Sequence, residues 1–206
     1  MKKVIFAAIL LVIVTGSSAQ QTSILNQKEK DAILYMREEE KLARDVYNFL
    51  YEKWETNPFG NIRQSEQVHM DRMKNLIMIY QLEDPVIKNN DTPGVFTNTI
   101  LQKYYDELSI TGSRSLTDAL KVGAKIEELD IADLDKRIKQ TSQQDILSTY
   151  SYLKMASENH LRAFVRRLKV QGEVYKPTIL SKAQFDKIIE TETRSRQSGN
   201  GMGRLN

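Results

Sequence analysis

The chain holds only two histidines, His69 and His160, and each lies in a run of residues able to bind a cation. Glu66 and His69 are spaced as Glu-x-x-His, which on a helix puts a carboxylate and an imidazole on one face. Ser157 precedes His160 at the same spacing, and Glu40, Glu127 and Asp130 add carboxylates in two other segments. Oxygen and imidazole donors without a thiolate suit iron, manganese or zinc, with the geometry left open. A buried ionised carboxylate is expensive unless it is paired or bound to a metal. Interior carboxylates and two imidazoles at one depth would be mutually costly, and a pair of divalent ions would satisfy them together.

Taken singly, each residue has a plainer reading. A lone Glu on a helix is usually solvated, and Glu38, Glu39 and Glu40 are consecutive, so a phase error of one residue changes the candidate. A Glu-x-x-His arises by chance in many helices, where Glu66 would pair with a base such as Arg63. A single histidine such as His160 is more often a satisfied core residue than a ligand. The joint placement of both histidines on interior stripes of different long helices favours the metal.

Those stripes follow from the elements. Asn26 with Glu29 makes a capping box. It opens a helix to about Trp54, in which Ile33, Met36, Ala43, Tyr47 and Leu50 recur at three- and four-residue steps. At 1.5 Å per residue that helix is about 42 Å long. Residues 57–61, with Pro58 and Gly60, break the pattern. A second helix runs to about Leu82 through Ile62, Met73, Leu76 and Tyr80, and Asp84-Pro85 ends it. Residues 83–115 form a long connection with a turn at 91–94 and a short helical pattern from about Thr97 to Leu108. Ser115 caps a third long helix to about Lys139, through Leu116, Leu120, Gly123 and Leu134. Thr141 with Gln144 reads as another capping box, opening a helix through Ile146, Tyr150, Leu153 and Phe164 to near Gly172. Ser181 with Gln184 starts a small helix to about Glu190. Residues 191–206 read as a disordered tail, in which Arg194 and Arg196 solubilise. Short links make antiparallel neighbours and the long one crosses over, which predicts an all-α four-helix bundle with a crossover between its second and third helices.

Composition narrows the function classes. The sequence has 206 residues, 30 basic against 27 acidic, and no cysteine. That excludes disulfides, thiolate zinc sites and cysteine nucleophiles. Residues 1–19 read as a secretory signal: Lys2 and Lys3, an apolar run from Val4 to Val14, then Ser17-Ser18-Ala19, with cleavage expected after Ala19. The apolar run is short of the roughly 20 residues that span a bilayer. Cleavage leaves 28 basic against 27 acidic residues, a net charge of +1, which offers no electrostatic footprint for nucleic acid. The expected location is the periplasm or the exterior. The expected partners are metal ions, not nucleic acid, and not a membrane once the signal is removed; a homo-oligomer stays open. The mature domain is expected over residues 20–190.

The run from Glu40 to Tyr47, EKLARDVY, resembles the first-helix motif of rubrerythrin-type members of the ferritin-like superfamily. More closely, residues 27–190 are similar to an uncharacterised bacterial ferritin-like family known only as a domain of unknown function. Residues 37–47, 65–73, 126–134 and 159–164 carry that likeness. The superfamily pattern is a Glu on each of two helices and a Glu-x-x-His on each of the other two. The resemblance implies Glu40 as the first-helix ligand, Glu66 and His69 as the second-helix pair, Glu127 on the third helix and His160 on the fourth. Ser157 departs from the pattern where a Glu is expected, so a single-metal or asymmetric site is an alternative to a bridged pair. Asp130, one turn from Glu127, could replace the missing carboxylate, whereas Glu158 points about 100° away from Ser157. The implied cofactor is one or two ions of iron or manganese.

Two functions follow. One is an oxidoreductase acting on oxygen, peroxide or ferrous iron, with Tyr47 or Tyr150 as nearby hydrogen-bond donors. The other is a non-catalytic helical module with a structural metal or none. The absence of Cys excludes a rubredoxin-like electron-transfer iron, and nothing in the sequence marks assembly of a storage cage.

Overall fold

The computed structural model describes residues 25–200, with side chains described as far as Thr191. The export segment at 1–19 and residues 201–206 lie outside the described residues. Among those described, every regular element is a helix: α1 Gln27–Trp54, α2 Phe59–Ile79, α3 Pro85–Lys88, α4 Thr99–Gly112, α5 Leu116–Ile138, α6 Gln144–Val170 and α7 Lys182–Asn200.

Local chemistry sets most of these bounds. The Glu29 N–H donates to Asn26 Oδ1 at 3.0 Å, and the Asn26 N–H donates back to Glu29 Oε2 at 2.9 Å, completing the capping box of α1. Asp84 accepts the Val86 N–H at the start of α3, where Pro85 fills the first helical position. Asn98 caps α4 and Ser115 caps α5, the latter accepting the Asp118 N–H at 3.0 Å. Ser181 and Gln184 form the reciprocal pair expected at α7.

Three expectations are corrected. The Thr141–Gln144 capping box does not form: Gln143 is the N-cap of α6, and its side chain does not cap the helix. The Thr141 hydroxyl instead accepts the Gln143 N–H and donates to Glu29 Oε1 at 2.7 Å, tying α6 to the start of α1. Helix α2 stops at Ile79, short of Leu82, because Gln81 takes a left-handed backbone, φ 52°. Helix α7 continues past Glu190 to Asn200, through a stretch with no Pro and no Gly before Gly199.

Helix α1 packs on α2 and α5 on α6, while α1 also meets α5 and α2 meets α6. Their inward stripes build two apolar clusters. One gathers Tyr47 and Leu50 of α1, Phe59 and Ile62 of α2, Leu120 of α5, and Phe164 and Leu168 of α6. The other gathers Ile33 and Met36, Met73 and Leu76, Leu134, and Ile146 and Leu153 from the same four helices. Helices α1 and α6 run from the second cluster to the first, and α2 and α5 run the opposite way. Neighbours in the ring are therefore antiparallel. The link from α2 to α5 must travel back along the molecule, and it carries α3 and α4 against α1.

The crossover is fastened to α1 by buried charges. Arg37 Nε lies 3.2 Å from each Asp84 oxygen. Lys41 pairs with Asp45 and donates to the Thr92 carbonyl at 2.9 Å. Asp45 also accepts the Gly94 N–H, at a turn whose φ of 73° suits only glycine without strain. Among the described residues no helix is long and apolar enough to cross a membrane.

Candidate metal centre

Between the two apolar clusters lies one charged layer. Glu40 enters it from α1, Glu66 and His69 from α2, Glu127 and Asp130 from α5, and Ser157 and His160 from α6. All but His160 are buried, and the His160 side chain is 12% exposed. The helical period does this: on each helix these residues interrupt an apolar stripe at three- or four-residue steps. Gly123 permits the close approach of α5 and α6, since a Cβ there would meet the Phe164 ring at 2.3 Å.

Glu66 is the hub. Its Oε2 lies 2.7 Å from His69 Nδ1, and its Oε1 lies 2.9 Å from His160 Nδ1. Glu40 Oε2 approaches His69 Nδ1 at 3.2 Å, and Glu127 Oε2 approaches His160 Nδ1 at 3.5 Å. Two ligand triads result, Glu40–Glu66–His69 and Glu66–Glu127–His160, each with donor atoms within 4.8 Å of one another. The imidazoles stack with centroids 5.6 Å apart. Donor separations near 3 Å are what an ion with bonds of about 2.1 Å needs along the edges of its coordination shell. Glu40 Oε1, Glu66 Oε1, His160 Nδ1 and Asp130 Oδ1 are buried without a hydrogen-bond partner, although two of them stand 2.9 Å apart. Atoms close in distance but misaligned for a proton suit a shared cation. The donor set therefore fits divalent cations, with Glu66 common to both triads.

Asp130 stands outside both triads. It hydrogen-bonds Ser157, whose hydroxyl also reaches the Leu153 carbonyl at 2.9 Å, and its other oxygen is free. Asp130 thus sits beside the position where α6 lacks a carboxylate. Tyr47 donates to Glu127 Oε1 at 2.6 Å, as expected of a nearby donor. Tyr150 does not act so: its hydroxyl is buried without a partner, within the second apolar cluster. Arg63 does not pair with Glu66 but lies over the Tyr51 ring, 4.1 Å from its centroid.

Residues 29–192 match a family described as "Uncharacterized protein domain (DUF2202)". The chain belongs to this family. It is 48% identical over 169 residues to the "Uncharacterized protein MJ0754" of Methanocaldococcus jannaschii, covering 82% of this chain and 90% of that protein. A solved structure, "Crystal structure of hypothetical protein MJ0754 from Methanococcus jannaschii DSM 2661", matches with a TM-score of 0.80 and 47% identity, over 84% of this chain and 98% of that one. The DUF2202 match spans every residue of the charged layer.

In this family member the charges of the layer are interlocked. Burial pulls the His69 and His160 imidazoles down, but Glu66 with Glu40 holds His69 up to about 12, and Glu66 with Glu127 holds His160 up to about 10. Burial would raise Glu66, yet the two imidazoles hold it well below the ordinary carboxylate range. Burial pushes Glu40 up to about 7 and raises Glu127. Burial, then Glu40 and Glu39, push Asp130 well above its usual range. The imidazoles and the carboxylates around them thus hold one another's charge.

Sequence reasoning missed the roles of the neighbouring carboxylates. Glu38 accepts the N–H groups of Thr97, at close range, and Asn98 at 3.0 Å, holding the crossover. Glu128 accepts the N–H groups of Thr178, Ile179 and Leu180 and the Tyr175 hydroxyl, holding the strap before α7. Glu39 is buried with neither oxygen hydrogen-bonded. Its one signal in the sequence was its place beside a candidate ligand.

Proposed function

We propose that the chain is an exported metalloprotein: a ferritin-like four-helix bundle, periplasmic or secreted, that binds two divalent ions of iron or manganese in unequal sites. The observation that carries this reading is the pair of buried triads sharing Glu66. Glu40, Glu66 and His69 would hold one ion, and Glu66, Glu127 and His160 the other, with Asp130 as a further carboxylate beside Ser157. Bound there, such ions would supply Lewis-acid and one-electron chemistry toward oxygen, peroxide or ferrous iron.

The chain's own residues define what that site could do. The Tyr47 hydroxyl orients Glu127, while Ser65 Oγ, 3.4 Å from His69 Nε2, steadies the far edge of that ring. Tyr47, Phe59 and Phe164 pack with centroids 5.4–6.0 Å apart and keep one side of the layer dry. The partly exposed edge of His160 leaves a side from which a small oxidant can approach. Ser157 favours a second reading, a non-catalytic module with a structural metal, because it removes one bridging carboxylate.

Anaerobic titration with ferrous iron and with manganese, read by calorimetry, tests the binding. Two equivalents with different affinities are expected, followed by saturable oxidation when oxygen or peroxide is admitted. Metal-dependent melting without turnover would favour the second reading, and no uptake by folded protein would sink both.

A further inference from the structure

Glu39 is a buried carboxylate that, unlike its neighbours, holds no backbone segment. Its neighbours in sequence and in role are saturated: Glu38 and Glu128 each accept backbone N–H groups. Glu39 is 2% exposed, and both of its oxygens are buried without a hydrogen-bond partner. Such a group is costly to keep ionised, and burial pushes the Glu39 carboxyl well above the usual range unless a cation lies beside it. It projects from α1 toward α5, within electrostatic reach of Asp133 and Arg137 on one side and of Glu40 and Asp130 on the other.

On α5, Asp130, Asp133 and Arg137 recur at three- and four-residue steps and line one face. The Asp133 side chain is 20% exposed, so this row begins at solvent. It ends at Asp130 Oδ1, which is also buried and unpartnered. At the outer end Arg137 lies over the Tyr35 ring, 4.3 Å from its centroid, and only 4.0 Å at its closest from Asp133. The Tyr35 hydroxyl hydrogen-bonds the Asp133 carboxylate and fixes this outer group of the row at the rim.

We propose that the seam between α1 and α5 is the entry path for divalent cations, with Asp133 taking an ion from solvent and Glu39 passing it to Asp130 and the centre. The proposal rests on the metal-binding reading above. The donors along the path are carboxylate oxygens alone, which suits hard, labile divalent ions and lets each step release its cargo to the better-coordinated centre, where imidazoles wait.

The test is stopped-flow loading of the full chain with cobalt(II), whose visible absorption reports binding, in the wild type, Glu39→Gln and Asp133→Asn. Glu83→Gln serves as control, since that side chain is 83% exposed and pairs with Lys88 outside the seam. Loading about tenfold slower in Glu39→Gln, and slower in Asp133→Asn, is expected, with the same number of ions bound at equilibrium. The Asp133 variant, altered at the rim, keeps the test alive if Glu39→Gln folds poorly. Unchanged rates in both variants would overturn the path and leave the His160 edge as the entrance. A lost equivalent in Glu39→Gln would also overturn it, by making Glu39 a ligand. If the wild type itself takes up no cobalt, the metal-binding reading falls first and the path with it.

Discussion

The α1–α2 half and the α5–α6 half of the molecule deliver nearly the same side chains to the charged layer, and they differ most at one place. Glu66 on α2 stands three residues before His69, whereas Ser157 on α6 stands three residues before His160. Glu66 consequently touches both imidazoles, while Ser157 touches neither and hydrogen-bonds Asp130. The carboxylate that α6 lacks is offered from α5 instead, one turn beyond Glu127. One half thus supplies the bridge for both triads, and the other depends on it. The halves agree outside the layer: each has a glutamate that holds the segment following it, Glu38 the crossover and Glu128 the strap. The asymmetry at the centre would set two unequal ion affinities.

The largest effect should come from the hub. Glu66→Gln is expected to abolish both binding events, whereas Glu127→Gln should remove only the weaker one; calorimetric titration separates the two. Equal losses from both variants would break the claim that one half supplies the bridge.

Proton competition comes next. Both imidazoles must give up a proton to bind an ion, and their raised values, about 12 for His69 and about 10 for His160, mean that the empty protein carries those protons at neutral pH. Affinity should therefore rise with pH, by about tenfold per unit for each proton released. Titrations at pH 6, 7 and 8 check the sign; a flat profile would contradict imidazole ligation.

The exchange between Ser157 and Asp130 sharpens the comparison further. Asp130→Asn should weaken the second ion by about tenfold, and adding Ser157→Glu to that variant should restore it. If Asp130→Asn leaves both affinities unchanged, Asp130 is a bystander hydrogen-bonded to a serine.

Separate from ion binding are the effects on folding of the two anchors. Glu128→Ala should cost about 3 kcal/mol, because three N–H groups and a phenol lose their acceptor; Glu38→Ala should cost about 2 kcal/mol with two N–H groups orphaned. Chemical denaturation of the metal-free protein orders them, and metal stoichiometry should survive both changes.

The sequence was most readable where contacts are local. The capping boxes at Asn26 and Ser181 close over three residues, so their types and spacing are sufficient to find them. The stripe positions Glu40, Glu66, His69, Glu127, Asp130 and His160 follow from the helical period and do converge on one layer. The Thr141–Gln144 box failed because the Thr141 hydroxyl is claimed by Glu29, which only the fold brings near. Glu38, Glu39 and Glu40 could not be separated for a different reason. They span about 200° of helix surface, and an ordinary amphipathic helix would leave one of them solvated. Helix α1 is covered by α2, α3, α4 and α5, so all three are buried and each faces a different neighbour. Glu128 was silent likewise: its partners lie 47 to 52 residues further along the chain.

The most direct measurement is the metal content of the protein isolated without an affinity tag from its native compartment, beside a Glu66→Ala/His69→Ala variant. About two equivalents of iron or manganese per chain, lost in the variant, is the expected result. A folded wild-type protein that carries no metal and takes up none on reconstitution would contradict the metal centre, and leave the charged layer as a buried network held together by protons.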